Sequence, residues 1–141
     1  MKAIKYKVLT PGAKAPTYGT EGAGCFDLYC AEDVVLPRFE TVKVPVGLAF
    51  EIPEGYVMTV MPRSSTACRG IQVFTGQVDS DYRGPVHAMA MNLAHALPVV
   101  IHKGERIAQA RLDRADHVCF INAVELSETA RGVNGYGSTG K

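Results

Sequence analysis

Apolar residues in this chain recur at every second position in short runs, and no window of adequate length sustains a helical spacing. The clearest run is Thr41 to Leu48, where Val42, Val44, Val46 and Leu48 share one face. That is the pattern of a half-buried strand, and Pro45 marks it as an edge strand or the seat of a bulge. Pro53-Glu54-Gly55 signals a turn, after which Tyr56 to Met61 continues in β-rich composition, so the two runs read as a hairpin. Lys5 to Leu9, the region from Asp27 to Ala31, Val99 to His102, Ile107 to Leu112 and Val118 to Val124 supply further strands. A Pro- and Gly-rich loop follows the first of them, from Pro11 to Gly24. Val73, Phe74 and Val78, then Val86, Ala88 and Ala90, predict a central hairpin around residues 76–84. The one helical stretch is a turn or two from Ser64 to Cys68, with serine as cap and Gly70 as stop. Short strands at this spacing predict an all-β sandwich or barrel.

At 141 residues the chain suits one domain with a real core. Fifteen Lys and Arg against fourteen Asp and Glu leave a net charge of +1, too little for the field of a dedicated nucleic-acid binder. Apolar stretches such as Ala96 to Ile101 are too short to span a bilayer, and the start lacks the apolar core of a signal peptide. A cytoplasmic protein is expected, or a nuclear one in a host with a nucleus. Cys25, Cys30, Cys68 and Cys119 form no CxxC pair, and His87, His95, His102 and His117 fall at no zinc spacing. The cysteines are expected as small, mostly buried hydrophobes in a reducing compartment.

Chemistry concentrates in residues 76–84, Gly-Gln-Val-Asp-Ser-Asp-Tyr-Arg-Gly, where two carboxylates, an aromatic and a guanidinium crowd between glycines. In a strand, Asp79 and Asp81 would share a face and Tyr82 would take the other. Such a pair can bind a cation, or one carboxylate can act as general base on a water that the other orients. The plain alternative is a solvated turn. Pro62-Arg63-Ser64-Ser65 joins a strand to the helical turn and reads either as an anion cradle or as an ordinary N-cap with a surface arginine. Gly104 to Gln109 is a turn running into a strand, in which buried Glu105 and Arg106 would support structure. The tail from Arg131 to Lys141 carries little to bury. Its GxxxxGK half-match to a P-loop stops at Lys141, so it is not expected to form a nucleotide-triphosphatase core, although its glycines, hydroxyls and cations suit phosphate.

Taken in order, Ala23-Gly24-Cys25-Phe26-Asp27-Leu28, Pro62-Arg63-Ser64-Ser65, residues 76–84, residues 104–109 and residues 131–140 resemble the five ordered motifs of the trimeric deoxyuridine triphosphatase (dUTPase) family. The resemblance implies a jelly-roll-like β-sandwich over residues 1–130, with residues 131–141 as an arm closing over the site. It also implies a homotrimer with active sites shared between subunits, and Mg²⁺-assisted hydrolysis of dUTP to dUMP and pyrophosphate. Asp79 resembles the residue that activates water against the α-phosphorus, and Tyr82 the residue beneath deoxyribose that excludes a 2′-hydroxyl. Arg63, Ser64, Ser65 and Gln109 resemble phosphate ligands of the body, while Arg131, Gly137, Ser138 and Thr139 resemble those of the arm. Tyr136 resembles the aromatic over uracil, and Gly76, Val78 and His87 resemble parts of the uracil pocket, read largely by backbone. Asp27 resembles the acid that meets the metal through water.

The chain departs from the family pattern at Tyr136, where Phe is usual, and at Asn134, where Gly is frequent. It departs also at Phe74 and Gln77, near the mouth of the uracil pocket. A dCTP deaminase, a bifunctional relative, or a non-catalytic regulatory protein of the same fold are the competing readings.

Overall fold

The computed structural model describes residues 3–135, and they fold as a nearly all-β, jelly-roll-like protomer. The strands are β1 (Lys5–Val8), β2 (Thr17–Tyr18), β3 (Phe26–Tyr29), β4 (Val34–Leu36), β5 (Thr41–Pro45), β6 (Leu48–Glu51), β7 (Tyr56–Met61), β8 (Ile71–Val73), β9 (Gly76–Val78), β10 (His87–Asn92), β11 (Val99–Ile101) and β12 (Arg106–Arg114). A single short helix, α1 (Ser64–Cys68), lies between β7 and β8. The named strands pair antiparallel in the orders β2-β3-β12-β7-β9, β5-β10-β8, β1-β6 and β4-β11. Alternate residues from these sheets meet in one core, in which Leu28, Leu36, Leu48, Met58, Ile71 and Ile101 are fully buried.

Several pairings differ from those the local pattern predicts. The run from Thr41 to Leu48 breaks after Pro45: β5 pairs with β10, while β6 pairs with β1. β7 pairs with β12 and β9, so no hairpin joins it to the preceding run. The central hairpin does not form either, because β9 pairs with β7, whereas β10 pairs with β5 and β8. Pro45 does sit on an edge, β5 being the outer strand of its sheet. The apolar residues of 118–126 form no strand and stand exposed; Phe120 is 95% exposed. Nothing among the described residues covers them.

The cap of α1 is Arg63 rather than a serine, and no side chain caps the helix. Gly70 does end it, at φ +69°, a conformation that costs other residues dearly. Among the four cysteines only Cys30 is buried; Cys25 is half-buried, and Cys68 and Cys119 are exposed. Burial pushes the Cys30 thiol up, against the carbonyl of Glu32, to which it donates.

Candidate active site

A β-bulge builds the first half of the site. β12 pairs with β3 through Arg106↔Tyr29 and Ala108↔Leu28, with the register shifting between them. The extra residue, Ile107, is buried, and the shift resets the alternation so that Arg106 and Gln109, three apart, both escape the core. Across β3 they meet the face carrying Asp27 and Tyr29, with Gln109 directly opposite Asp27. Asp27 is only 7% exposed, which would be costly for a lone carboxylate. Here Arg63 Nε donates to Oδ1 at 2.7 Å and Arg106 Nη1 to Oδ2 at 3.3 Å. Arg63 Nη1 also donates to Ser65 Oγ at 2.8 Å, and Gln109 Nε2 to the Pro62 carbonyl at 2.9 Å. Ser64 and Ser65 face solvent beside them. Two guanidiniums, the Ser65 hydroxyl and an amide are thus gathered around one carboxylate, a donor set suited to anionic oxygens.

The second half is a cleft of about 260 Å³ whose lining includes Gly76, Gln77, Val78, Asp79, Tyr82 and His87. Phe74, Val86 and Met89 supply apolar wall, and Phe74 and Gln77, two of the four positions where the chain departs from the family pattern, line this cleft. β9 is the outer strand of the five-stranded sheet, which leaves half of its backbone N–H and C=O groups for a ligand. Asp79 to Tyr82 form a turn, closed by Tyr82 N–H on the Asp79 carbonyl at 3.2 Å, and are not the strand that alternation assumed. In consequence Asp79 and Tyr82 line one cleft together, while Asp81 turns to a neighbouring cleft with Glu54, Tyr56 and His117. The Tyr82 hydroxyl donates to the Pro85 carbonyl at 3.1 Å. Gly84 makes that pose possible, since a Cβ there would collide with the tyrosine ring. The Asp79 carboxylate is exposed and has no hydrogen-bond partner among the described residues.

The two halves lie apart in one chain. β9 runs against β7 with Val78 opposite Met58, so continuing the register places Asp79 level with Val57, and the two share a cleft wall. Arg63 follows the other end of β7. Six residues of extended chain separate Val57 from Arg63, roughly 20 Å.

Arg131 reaches neither half: it is exposed, and its Nε donates to the Asn134 carbonyl at 2.9 Å. Tyr136, Gly137, Ser138 and Thr139 lie outside the described residues. Arg106 supports structure as expected, completing the clamp on Asp27, but from an exposed position rather than a buried one. One lining residue escaped the reading of the sequence. Lys43 lines the cleft because β5 lies beside β10, with Lys43 opposite Met89, a long-range pairing without a local signature.

An all-β protomer with a guanidinium and hydroxyl cluster at one place and an aromatic-walled, backbone-edged cleft at another defines a nucleotide-handling β-sandwich. A dUTPase family model matches residues 12–140. Among named relatives, the deoxyuridine 5′-triphosphate nucleotidohydrolase of Hydrogenobaculum sp. is 44% identical over 138 residues, with 95% of each chain covered. That of Paramecium bursaria Chlorella virus 1 is 38% identical, with 99% of each covered. The solved dUTPase of Staphylococcus bacteriophage 80alpha with dUPNHPP superposes over 100% of both chains at a TM-score of 0.90 and 25% identity. A dUTPase variant of phage phi11 of S. aureus, solved for the coordination of a structural Mg(II) ion, superposes at 0.82 and 22% identity, over 88% of this chain and 98% of its own. The chain belongs to the dUTPase family.

Proposed function

We propose that this protein hydrolyses dUTP to dUMP and pyrophosphate with Asp79 as the general base. The observation that carries the reading is an exposed, unpartnered carboxylate in the same cleft as Tyr82 and the free edge of β9. Uracil enters the cleft and pairs with backbone groups of Gly76 and Val78, beside His87, while deoxyribose stacks over the Tyr82 ring. A 2′-hydroxyl would strike that ring, which its bond to Pro85 holds in place. A water hydrogen-bonded to Asp79 attacks the α-phosphorus. A new P–O bond forms, the bridging bond from the α-phosphorus to the β-phosphate oxygen breaks, the water's proton passes to the carboxylate, and pyrophosphate departs.

Arg63, Ser64, Ser65 and Gln109 receive the outer phosphates, and Asp27 keeps the guanidiniums aimed without consuming their remaining N–H donors. The same carboxylate retains free lone pairs, which fits a water-mediated contact to Mg²⁺. An Mg²⁺ ion here would be held mainly by the substrate phosphates. When bound, Mg²⁺ would neutralise phosphate charge as pyrophosphate leaves. The arm, residues 131–141, supplies Arg131, Gly137, Ser138 and Thr139 to the phosphates and Tyr136 to the base.

A general base must stand within hydrogen-bond reach of the proton it takes. Roughly 20 Å along β7 is too far for one chain to serve both ends of one substrate, so the complete site combines halves of different subunits, in keeping with the homotrimer that the family resemblance implies. The exposed apolar run 118–126 supports association, because an apolar stretch of this length is better covered than left in water. No helix among the described residues is long and apolar enough to cross a membrane, and four free cysteines suit a reducing compartment, the cytoplasm or nucleus. Pyrophosphate release measured across dUTP, dCTP, dTTP and UTP tests the reading. Release confined to dUTP is expected, and ammonia release from dCTP would move the protein to the deaminases.

A further inference from the structure

Helix α1 has little capacity to hold its own shape. It comprises five residues, with no side-chain cap, no acid in the first turn and no base in the last, and a single turn is unfavourable alone. Yet it presents Ser64 and Ser65, so something outside it sets their positions. Three contacts tie it and its flanks to the start of β12. Arg63 Nη1 donates to the Arg106 carbonyl at 3.4 Å, buried Thr66 Oγ1 to the Ile107 carbonyl at 3.3 Å, and Arg69 Nη1 to Glu105 Oε2 at 2.9 Å. The third lies at the far end of the helix. Glu105 is itself firmly held: Oε1 accepts the His102 N–H at 2.8 Å, its own N–H donates to the His102 carbonyl, and its carbonyl accepts the Cys30 N–H at 2.8 Å. It therefore joins the end of α1 to the turn before β12 and to the chain leaving β3, the two strands that carry Arg106 and Asp27.

We propose that Glu105 is a positioning residue for phosphate recognition, fixing Ser64 and Ser65 by holding Arg69 at the opposite end of α1. The inference rests on the reading that these hydroxyls bind the outer phosphates. The Arg69–Glu105 pair is partly exposed, with side chains 47% and 29% accessible. Such pairs add little to overall stability, so its loss loosens the local turn more than the fold. Because Asp79 and Tyr82 lie at the other end of β7, binding of the nucleoside should not register it.

The test measures Kd for dUPNHPP and for dUMP, together with the thermal midpoint, in the full-length protein and in Glu105→Gln, Arg69→Met and the double variant. Each single change is expected to weaken dUPNHPP about five- to tenfold, with dUMP affinity within about twofold and the midpoint within about 3 °C. The double variant should be no worse than either single one, because both remove the same contact. Unchanged dUPNHPP affinity, an equal loss for dUMP, or additive losses would each overturn the proposal. If Glu105→Gln does not fold, Arg69→Met carries the same test from the more exposed partner. A Ser64→Ala, Ser65→Ala chain separates the two layers of argument. If it binds dUPNHPP normally, the phosphate assignment itself fails; if it binds weakly while Glu105→Gln and Arg69→Met bind normally, only the positioning role fails.

Discussion

The anion cluster and the cleft are finished to different degrees. Around Asp27 the charged groups already satisfy one another: both carboxylate oxygens are engaged, and the Arg63 and Asp27 side chains are 17% and 10% exposed. Around Asp79 the carboxylate has no partner among the described residues and the strand edge is open, while the Tyr82 ring is fixed through its hydroxyl. A binding half gains from rigidity, since oriented donors need not reorganise when phosphate arrives. A half that must deprotonate water needs a carboxylate with lone pairs to spare, and any fixed donor there would compete with the water. The same residue type, aspartate, is a structural counter-ion at one end of β7 and a candidate base at the other. Its partners decide which.

Asp79→Asn puts that contrast to its hardest test. The amide keeps the shape and loses the base, so kcat should fall about 10²- to 10⁴-fold with dUTP still bound; steady-state kinetics with a binding measurement checks both, and near-normal turnover would end the assignment. Mixing this variant with a chain truncated after Thr129 should restore part of the activity if subunits exchange, and its absence in proven mixed trimers would argue for sites built within one chain.

At the other end, Asp27→Asn leaves two guanidiniums facing a neutral amide. Unfolding free energy should drop by about 3 kcal/mol in denaturant titration, because breaking a buried pair strands its charges. The corresponding loss for Asp79→Asn should be within about 0.5 kcal/mol, as for exposed sites without contacts. Equal losses would erase the distinction between the halves.

Selectivity sharpens the picture of the cleft. Tyr82→Ala should raise the kcat/KM of UTP relative to dUTP by about 10- to 100-fold, because it removes a steric penalty. Gly84→Ala should move selectivity in the same direction by displacing the ring it would otherwise strike. An unchanged ratio in both variants would free Tyr82 of the role.

The smallest effect belongs to acid pH. Desolvation alone would raise the Glu105 pKa, but the bonds from the His102 N–H and Arg69, with the positive charge nearby, outweigh it and hold the carboxyl below its ordinary value. A depressed carboxyl contributes stability that is present above its unfolded pKa of about 4.3 and is lost as pH falls through the lower folded value. The stability curve of Glu105→Gln should therefore begin to approach that of the unaltered protein as pH falls below the unfolded value, and meet it only below the folded one.

By itself the sequence determined where strands begin and stop over most of the chain, because alternation of apolar side chains and the φ demands of Pro and Gly act over a few residues. The β5, β7, β11 and β12 runs and the helical turn ended by Gly70 were all legible in this way. Residues 62–65 and 76–84 also stood out as candidate sites, because charged and aromatic groups crowded between glycines mark themselves. Only the tertiary structure decided which strands are neighbours. The β9 pairing with β7, the bulge that brings Arg106 to Asp27, and the roughly 20 Å between the two halves all follow from contacts distant in sequence. The run 118–126 shows the same limit from the other side. Its apolar pattern asks to be buried, but which surface buries it depends on geometry beyond the reach of its neighbours in sequence, and among the described residues no surface does.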